Sequence, residues 1–173
     1  MALKREKEIE WNWAQPPHPF PKCPGANCAF IGPSGCGKTS ILTSMILQPA
    51  AYKGIYSSIH VFSPSIFIDS AWDLVVKFAK TLDTDEFKSS FHDEWDEPAL
   101  KEIIAKQRER IRELKLTKTR KNLPQLLIVV DDMADTGIMH NNTGVLTSCY
   151  TRGRHLGLST WLSSQKLLAI API

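Results

Sequence analysis

Hydrophobic and polar positions along this chain fall into blocks of two kinds. Ala26 to Ile31, Ile55 to Phe62, Leu126 to Val130 and Leu158 to Ser163 are short, largely apolar runs of strand length. Leu126 to Val130 contains no polar residue, which predicts a strand buried on both faces, as in a parallel sheet. Between these runs the apolar residues recur at helical spacing. Ile41, Leu42, Met45 and Ile46 predict a helix over 38–48, with Pro49 just past its end. Trp72, Val75, Val76, Phe78, Ala79 and Leu82 predict the core face of a helix over 72–82. Pro98 suits the first turn of a long charged helix over 98–115, whose apolar stripe is Leu100, Ile104, Ile111 and Leu114. A further helix is expected over 141–152. Alternation of strands and helices predicts an α/β fold with a mainly parallel sheet.

The first 25 residues do not follow either pattern. Pro16, Pro17, Pro19, Pro21 and Pro24 forbid a helix and disfavour a central strand. Residues 1–25 are therefore read as an irregular arm, pinned by Trp11, Trp13 and Phe20, and residues 26–173 as the domain proper.

Composition narrows the class. The chain has 173 residues, 43% of them hydrophobic and 23% charged, which fits one soluble globular domain rather than a disordered chain. Four cysteines are too few for a disulfide scaffold at this length. No apolar run is long enough to span a membrane, and Met1 to Glu10 is charged where a secretory leader would be apolar. An intracellular, cytoplasmic protein is expected. The net charge of +3 hides two opposed blocks. Residues 83–97 carry seven acids against Lys88 alone, net −6, and residues 101–121 carry nine Lys and Arg against three Glu, net +6.

The chemistry begins at Gly32-Pro33-Ser34-Gly35-Cys36-Gly37-Lys38-Thr39, a full match to GxxxxGK[ST]. Its glycines let successive backbone N–H groups face one concave anion site, and the helix that follows, from Lys38 and Thr39 through Ser40, adds its own free N–H groups. Lys38 is placed to reach the β- and γ-phosphates of a nucleotide, and the Thr39 hydroxyl to ligate Mg²⁺. A second centre follows the apolar strand: Asp131 at its end would hold Mg²⁺, and Asp132 would orient or deprotonate an attacking water. A third is the segment from Arg152-Gly153-Arg154-His155 to Ser163-Ser164-Gln165, a strand ending in a polar amide. Gln165 would contact the γ-phosphate or the water, and Arg152 or Arg154 would serve as an arginine finger toward a neighbouring subunit.

Together, the phosphate loop, the strand ending in Asp-Asp and the Arg-His-x-Gly-Leu-Ser strand ending in Gln165 resemble the DNA-packaging ATPases of large DNA viruses. These are the poxvirus type and the related enzymes of giant viruses, virophages and polinton-like elements, within the FtsK/HerA superfamily. The stretch Ile59-His60-Val61-Phe62-Ser63-Pro64-Ser65 is similar to the family as well. The resemblance covers about residues 26–165. It implies a three-layer RecA-like P-loop core and an ATP- and Mg²⁺-dependent motor. Such a motor forms a homo-oligomeric ring and moves double-stranded DNA into a capsid, at an assembly site in the host cytoplasm. Lys38, Thr39, Asp131, Asp132 and Gln165 carry over to the family's motif positions, and Arg154, inside the motif, is the favoured finger. Family members continue past the Gln strand, whereas this chain stops eight residues after Gln165. A sheet lacking its last strand or strands through truncation is therefore expected.

Two other classes share the loop. A small-molecule kinase would use 101–121 as a lid, and a non-hydrolysing switch would bind nucleotide without turnover; no Asn-Lys-x-Asp guanine signature is present. The basic block has two readings, a non-specific contact to DNA phosphates or a solvated helix paired with the acidic block. Cys23, Cys28 and His18 approach zinc spacing without an evident fourth ligand.

Overall fold

A computed structural model describes residues 12–117, 123–133 and 144–165. Five strands form one sheet: β1 (Cys28–Ile31), β2 (Ser58–Phe62), β3 (Ser90–His92), β4 (Leu126–Asp131) and β5 (Leu158–Ser164). The helices are α1 (Lys38–Leu47), α2 (Asp73–Leu82), α3 (Glu97–Thr117) and α4 (Val145–Arg152), and a 3-10 turn at Gly153–Leu156 leads into β5. All strand pairs are parallel, in the order β1-β5-β4-β2-β3. This is a three-layer RecA-like P-loop core, as the alternation of elements and the family resemblance predict.

The layers can be read from alternate residues of β4. Leu127 and Val129 join one core with Leu42 and Ile46 of α1 and Val75 and Ala79 of α2. Leu126, Ile128 and Val130 join the other with Leu100 of α3 and Leu146 and Cys149 of α4. A strand with side chains on both faces can bury every one of them only between two helical layers.

Departures from the expected pattern are local. β3 lies inside the acidic block, where three residues of mixed polarity give no periodic signal. In α1, Leu42 and Ile46 are buried, but Ile41 is 54% exposed. In α3 a polar residue, Gln107, completes the buried stripe between Leu100 and Ile111. Its amide Nε2 donates to Pro124 O at 3.0 Å and Leu156 O at 2.8 Å, binding α3 to the segments that enter β4 and β5.

The described part of the arm packs on the domain. Phe20 meets Tyr52 edge-on at 5.5 Å, Tyr52 Oη donates to Pro21 O at 3.1 Å, and Gln125 Nε2 donates to Ala14 O at 2.8 Å. Trp13 covers Gly157, where an added Cβ would stand 2.7 Å from the indole ring. Trp11 lies outside the described residues. No helix among them is long and apolar enough to cross a membrane.

Candidate nucleotide site

Parallel strands bring their C-terminal ends to one edge of the sheet, where α/β folds bind ligands. The register aligns these ends within a residue or two: Ile31 pairs with Ser164, Asp131 with Ser163, and Phe62 with Val130. The phosphate loop leaves β1, Ser63 follows β2, Asp131 closes β4, and Gln165 follows β5. β5 is hydrogen-bonded to both β1 and β4, so the Gln165 strand lies between the phosphate-loop strand and the Asp-Asp strand.

Gly35 and Gly37 hold positive φ of 75° and 88°, the left-handed conformation that curls the loop and is open to glycine at little cost. Gly37 is also the N-cap of α1, so the curl delivers the loop onto a helix N-terminus. Lys38 folds back over the loop, its Nζ donating to Gly32 O at 2.8 Å and Pro33 O at 2.9 Å. Ser34, Cys36 and Ser40 are exposed along the same rim.

Asp131 is 2% exposed. Thr39 Oγ1 and Ser63 Oγ both donate to its Oδ2, at 3.4 and 3.3 Å, while its buried Oδ1 has no hydrogen-bond partner among the described residues. Burial pushes its carboxyl above the ordinary value; the hydroxyls of Ser163, Ser63 and Thr39 oppose that, and the neighbouring Asp132 adds to it. Hydroxyl and carboxylate oxygens, with one buried carboxylate oxygen left open, are the hard donors Mg²⁺ takes, so Thr39 and Asp131 fit the expected metal. Ser63 is a member of this cluster that motif reasoning passed over. Ser63 falls within the stretch similar to the family, but nothing in the sequence marks it as a neighbour of Asp131.

Asp132 is exposed and adopts φ 52°, a left-handed conformation that aspartate tolerates better than most residues. Gln165 Nε2 donates to both of its carboxylate oxygens, at 3.1 Å to Oδ1 and 3.0 Å to Oδ2. The structure thus brings Lys38, Thr39, Asp131, Asp132 and Gln165 to one end of the sheet. Arg154 stands apart. It is exposed on the 3-10 turn before β5, at the opposite end of the sheet. Arg152, at the end of α4, is exposed near that same far end.

Cys23 lies in the core with its Sγ 3.7 Å from Tyr56 Oη. Burial raises its thiol and pushes that of Cys28 up to about 11, which disfavours the thiolate a zinc site needs.

Comparison with known proteins gives the fold and the family. Among solved structures, EssC ATPases 2 and 3 from Geobacillus thermodenitrificans superpose with a TM-score of 0.57 at 17% identity, covering 84% of this chain and 29% of that one. The cytoplasmic domain of EssC gives 0.50 at 15% identity, covering 84% and 28%. The cytoplasmic domain of the Thermomonospora curvata type VII secretion ATPase EccC gives 0.50 at 12% identity, covering 80% and 16%. At such identities the likeness is one of fold, and the chain spans less than a third of each structure's length. No curated protein sequence matches. The family model described as Poxvirus A32 protein matches residues 24–171, nearly all of the chain and every element of the site. This chain therefore belongs to the Poxvirus A32 protein family.

Proposed function

We propose that this protein hydrolyses ATP to move double-stranded DNA, acting as a homo-oligomeric ring that packages a viral genome into a capsid in the host cytoplasm. The observation that carries the reading is the seat of β5 between β1 and β4, which sets Gln165 on Asp132 beside the phosphate loop. Transfer to a small acceptor needs no such amide, whereas hydrolysis needs a positioned water and a base held in place.

The residues divide the work. N–H groups of residues 34–39 and the N-terminus of α1 cradle the phosphates, and Lys38 exchanges the Gly32 and Pro33 carbonyls for β- and γ-phosphate oxygens. Thr39 and Asp131 hold Mg²⁺, which when bound supplies positive charge against the phosphate oxygens. Asp132 accepts the proton of the attacking water as the water oxygen bonds to the γ-phosphorus and the bond from that phosphorus to the β–γ bridging oxygen breaks, releasing ADP. Gln165 holds the Asp132 carboxylate in place and stands where it senses the γ-phosphate. Arg154, remote from the site of its own subunit, acts on that of a neighbour as the trans finger.

The test is release of inorganic phosphate from ATP with and without double-stranded DNA. Turnover should rise severalfold with DNA and disappear in Lys38→Ala. Turnover indifferent to DNA removes the motor reading, and transfer of the γ-phosphate to a small acceptor replaces it with a kinase.

A further inference from the structure

The structure describes the basic block as far as Thr117, and α3 divides this part into two flanks. On one, each cation has an acidic partner: Lys106 pairs with Glu102 at 2.5 Å and Arg110 with Glu86 of the acidic block at 3.8 Å, while Lys101, near the start of the other flank, pairs with Glu97 at 2.7 Å. Arg110 also lies over the Phe87 ring, 4.0 Å from its centroid. Arg108, Arg112 and Lys115, spaced i, i+4 and i+7, share a different face of α3 and are exposed. None of the three has an ion pair or hydrogen bond among the described residues.

Arg108 opens onto a cleft between α3 and α4 of about 450 Å³. Arg152 and His155 enter the same cleft from the end of α4 and from the 3-10 turn, with Ser148 beside them and Cys149 and Leu158 in its apolar floor. No acidic side chain lines it among the described residues. Arg152 and His155 are exposed and, like Arg108, have no ion pair or hydrogen bond among the described residues. Three elements thus converge two guanidinium groups, an imidazole and a hydroxyl on one acid-free concavity. Unpaired cations held near one another repel, and an oxyanion relieves that repulsion. Guanidinium forks match phosphate oxygens in particular.

We propose that this cleft binds the phosphate backbone of double-stranded DNA, with Arg112 and Lys115 extending the contact along α3. The inference rests on the motor reading and gives it a location. The cleft lies at the start of β5, and β5 ends beside Gln165, so one strand buried along its whole length joins the DNA contact to the amide that holds Asp132. The contact is to phosphates only, so binding is independent of sequence and falls steeply with salt.

Equilibrium binding of a short fluorescent duplex of random sequence to the full chain, across a salt series, tests this. Arg108→Ala/Arg152→Ala is compared with wild type and with Arg110→Ala, which removes a charge already paired with Glu86; thermal melts check that each variant folds. The double variant should bind at least about tenfold more weakly, with its slope of log Kd against log salt shallower by roughly two. Arg110→Ala should lose less than about twofold. Wild-type affinity in the double variant overturns the cleft and leaves the motor reading intact, as does a loss from Arg110→Ala half as large, on a log scale, as that of the double variant, which would mark a diffuse charge effect. A double variant that keeps duplex affinity but loses ATP turnover assigns the cleft to a neighbour's nucleotide phosphate instead. A wild type without affinity for the duplex removes the motor reading and the cleft together.

Discussion

Lys38, Asp131 and Asp132 are held in this structure by groups they must leave or share when nucleotide arrives. Lys38 donates to two carbonyls of its own loop, Asp131 keeps one buried oxygen open, and Asp132 has both oxygens engaged by Gln165. Ser63 provides a sharper test of this network than the motif residues. Ser63→Ala removes one donor from Asp131 and leaves the metal ligands in place. A neutral-to-charged hydrogen bond of this kind contributes about 1.5–3 kcal/mol. The Mg²⁺ concentration for half-maximal turnover should therefore shift by about tenfold or more while ATP affinity changes little; an unchanged Mg²⁺ dependence would remove Ser63 from the site. Gln165→Ala should lower kcat by about tenfold or more with KM for ATP changed far less, because the amide touches Asp132 rather than the loop. Equal effects on kcat and KM would make Gln165 a binding residue. Lys38 and Thr39 were legible from spacing alone. Ser63 was not, since a serine after an apolar strand is ordinary until the sheet order sets it against Asp131.

The elements are tied together by small polar and steric devices that hydrophobic periodicity does not register. Gly157 ends the 3-10 turn at φ 71°, and a Cβ there would meet the Trp13 ring at 2.7 Å and Pro124 O at 2.8 Å. Gly157→Ala adds left-handed strain of about 1–2 kcal/mol to a clash that must displace the arm or the β4 entry. Chemical denaturation should show a loss of at least about 2 kcal/mol, and a loss below that would mean the arm yields freely. His60 of β2 is a second such device. Its Nδ1 lies 2.8 Å from Ser90 Oγ of β3 and its Nε2 lies 3.1 Å from Ser58 Oγ. Burial, with His92 nearby, pushes its pKa down to about 4, and Asp83 opposes this only weakly. The unfolded chain, with histidine near 6.5, takes up the proton first as pH falls. Stability from neutral His60 is therefore complete above about pH 6.5 and is lost as pH drops toward 4, by about 3 kcal/mol in all. Denaturation midpoints should fall over that window and fall less in His60→Gln; equal slopes would show that other groups carry the acid sensitivity. The major elements were legible because each is long and periodic, or continuously apolar. β3 was not, because three residues within an acidic run hold their place only through pairing with β2.

At the scale of the whole molecule, charge illustrates the same division. The sequence shows a −6 block followed by a +6 block, but it does not show which members cancel. Packing pairs Arg110 with Glu86 and, among the described residues, gives Arg108 no partner, although the two are close along one helix. Two residues along, a helix has turned by about 200° around its axis, and only tertiary structure decides what faces each side. By itself the sequence determined the phosphate loop, the acidic pair and the alternation of strands and helices. Those depend on local backbone conformation, side-chain chemistry and periodicity, which neighbours along the chain specify. Tertiary structure alone decided that β5 inserts between β1 and β4, that Ser63 joins Asp131, and that Arg108 meets Arg152 and His155 across a cleft. Each of these joins residues about 30 to 130 positions apart. Such pairings follow from how apolar faces are buried together, which no local pattern encodes.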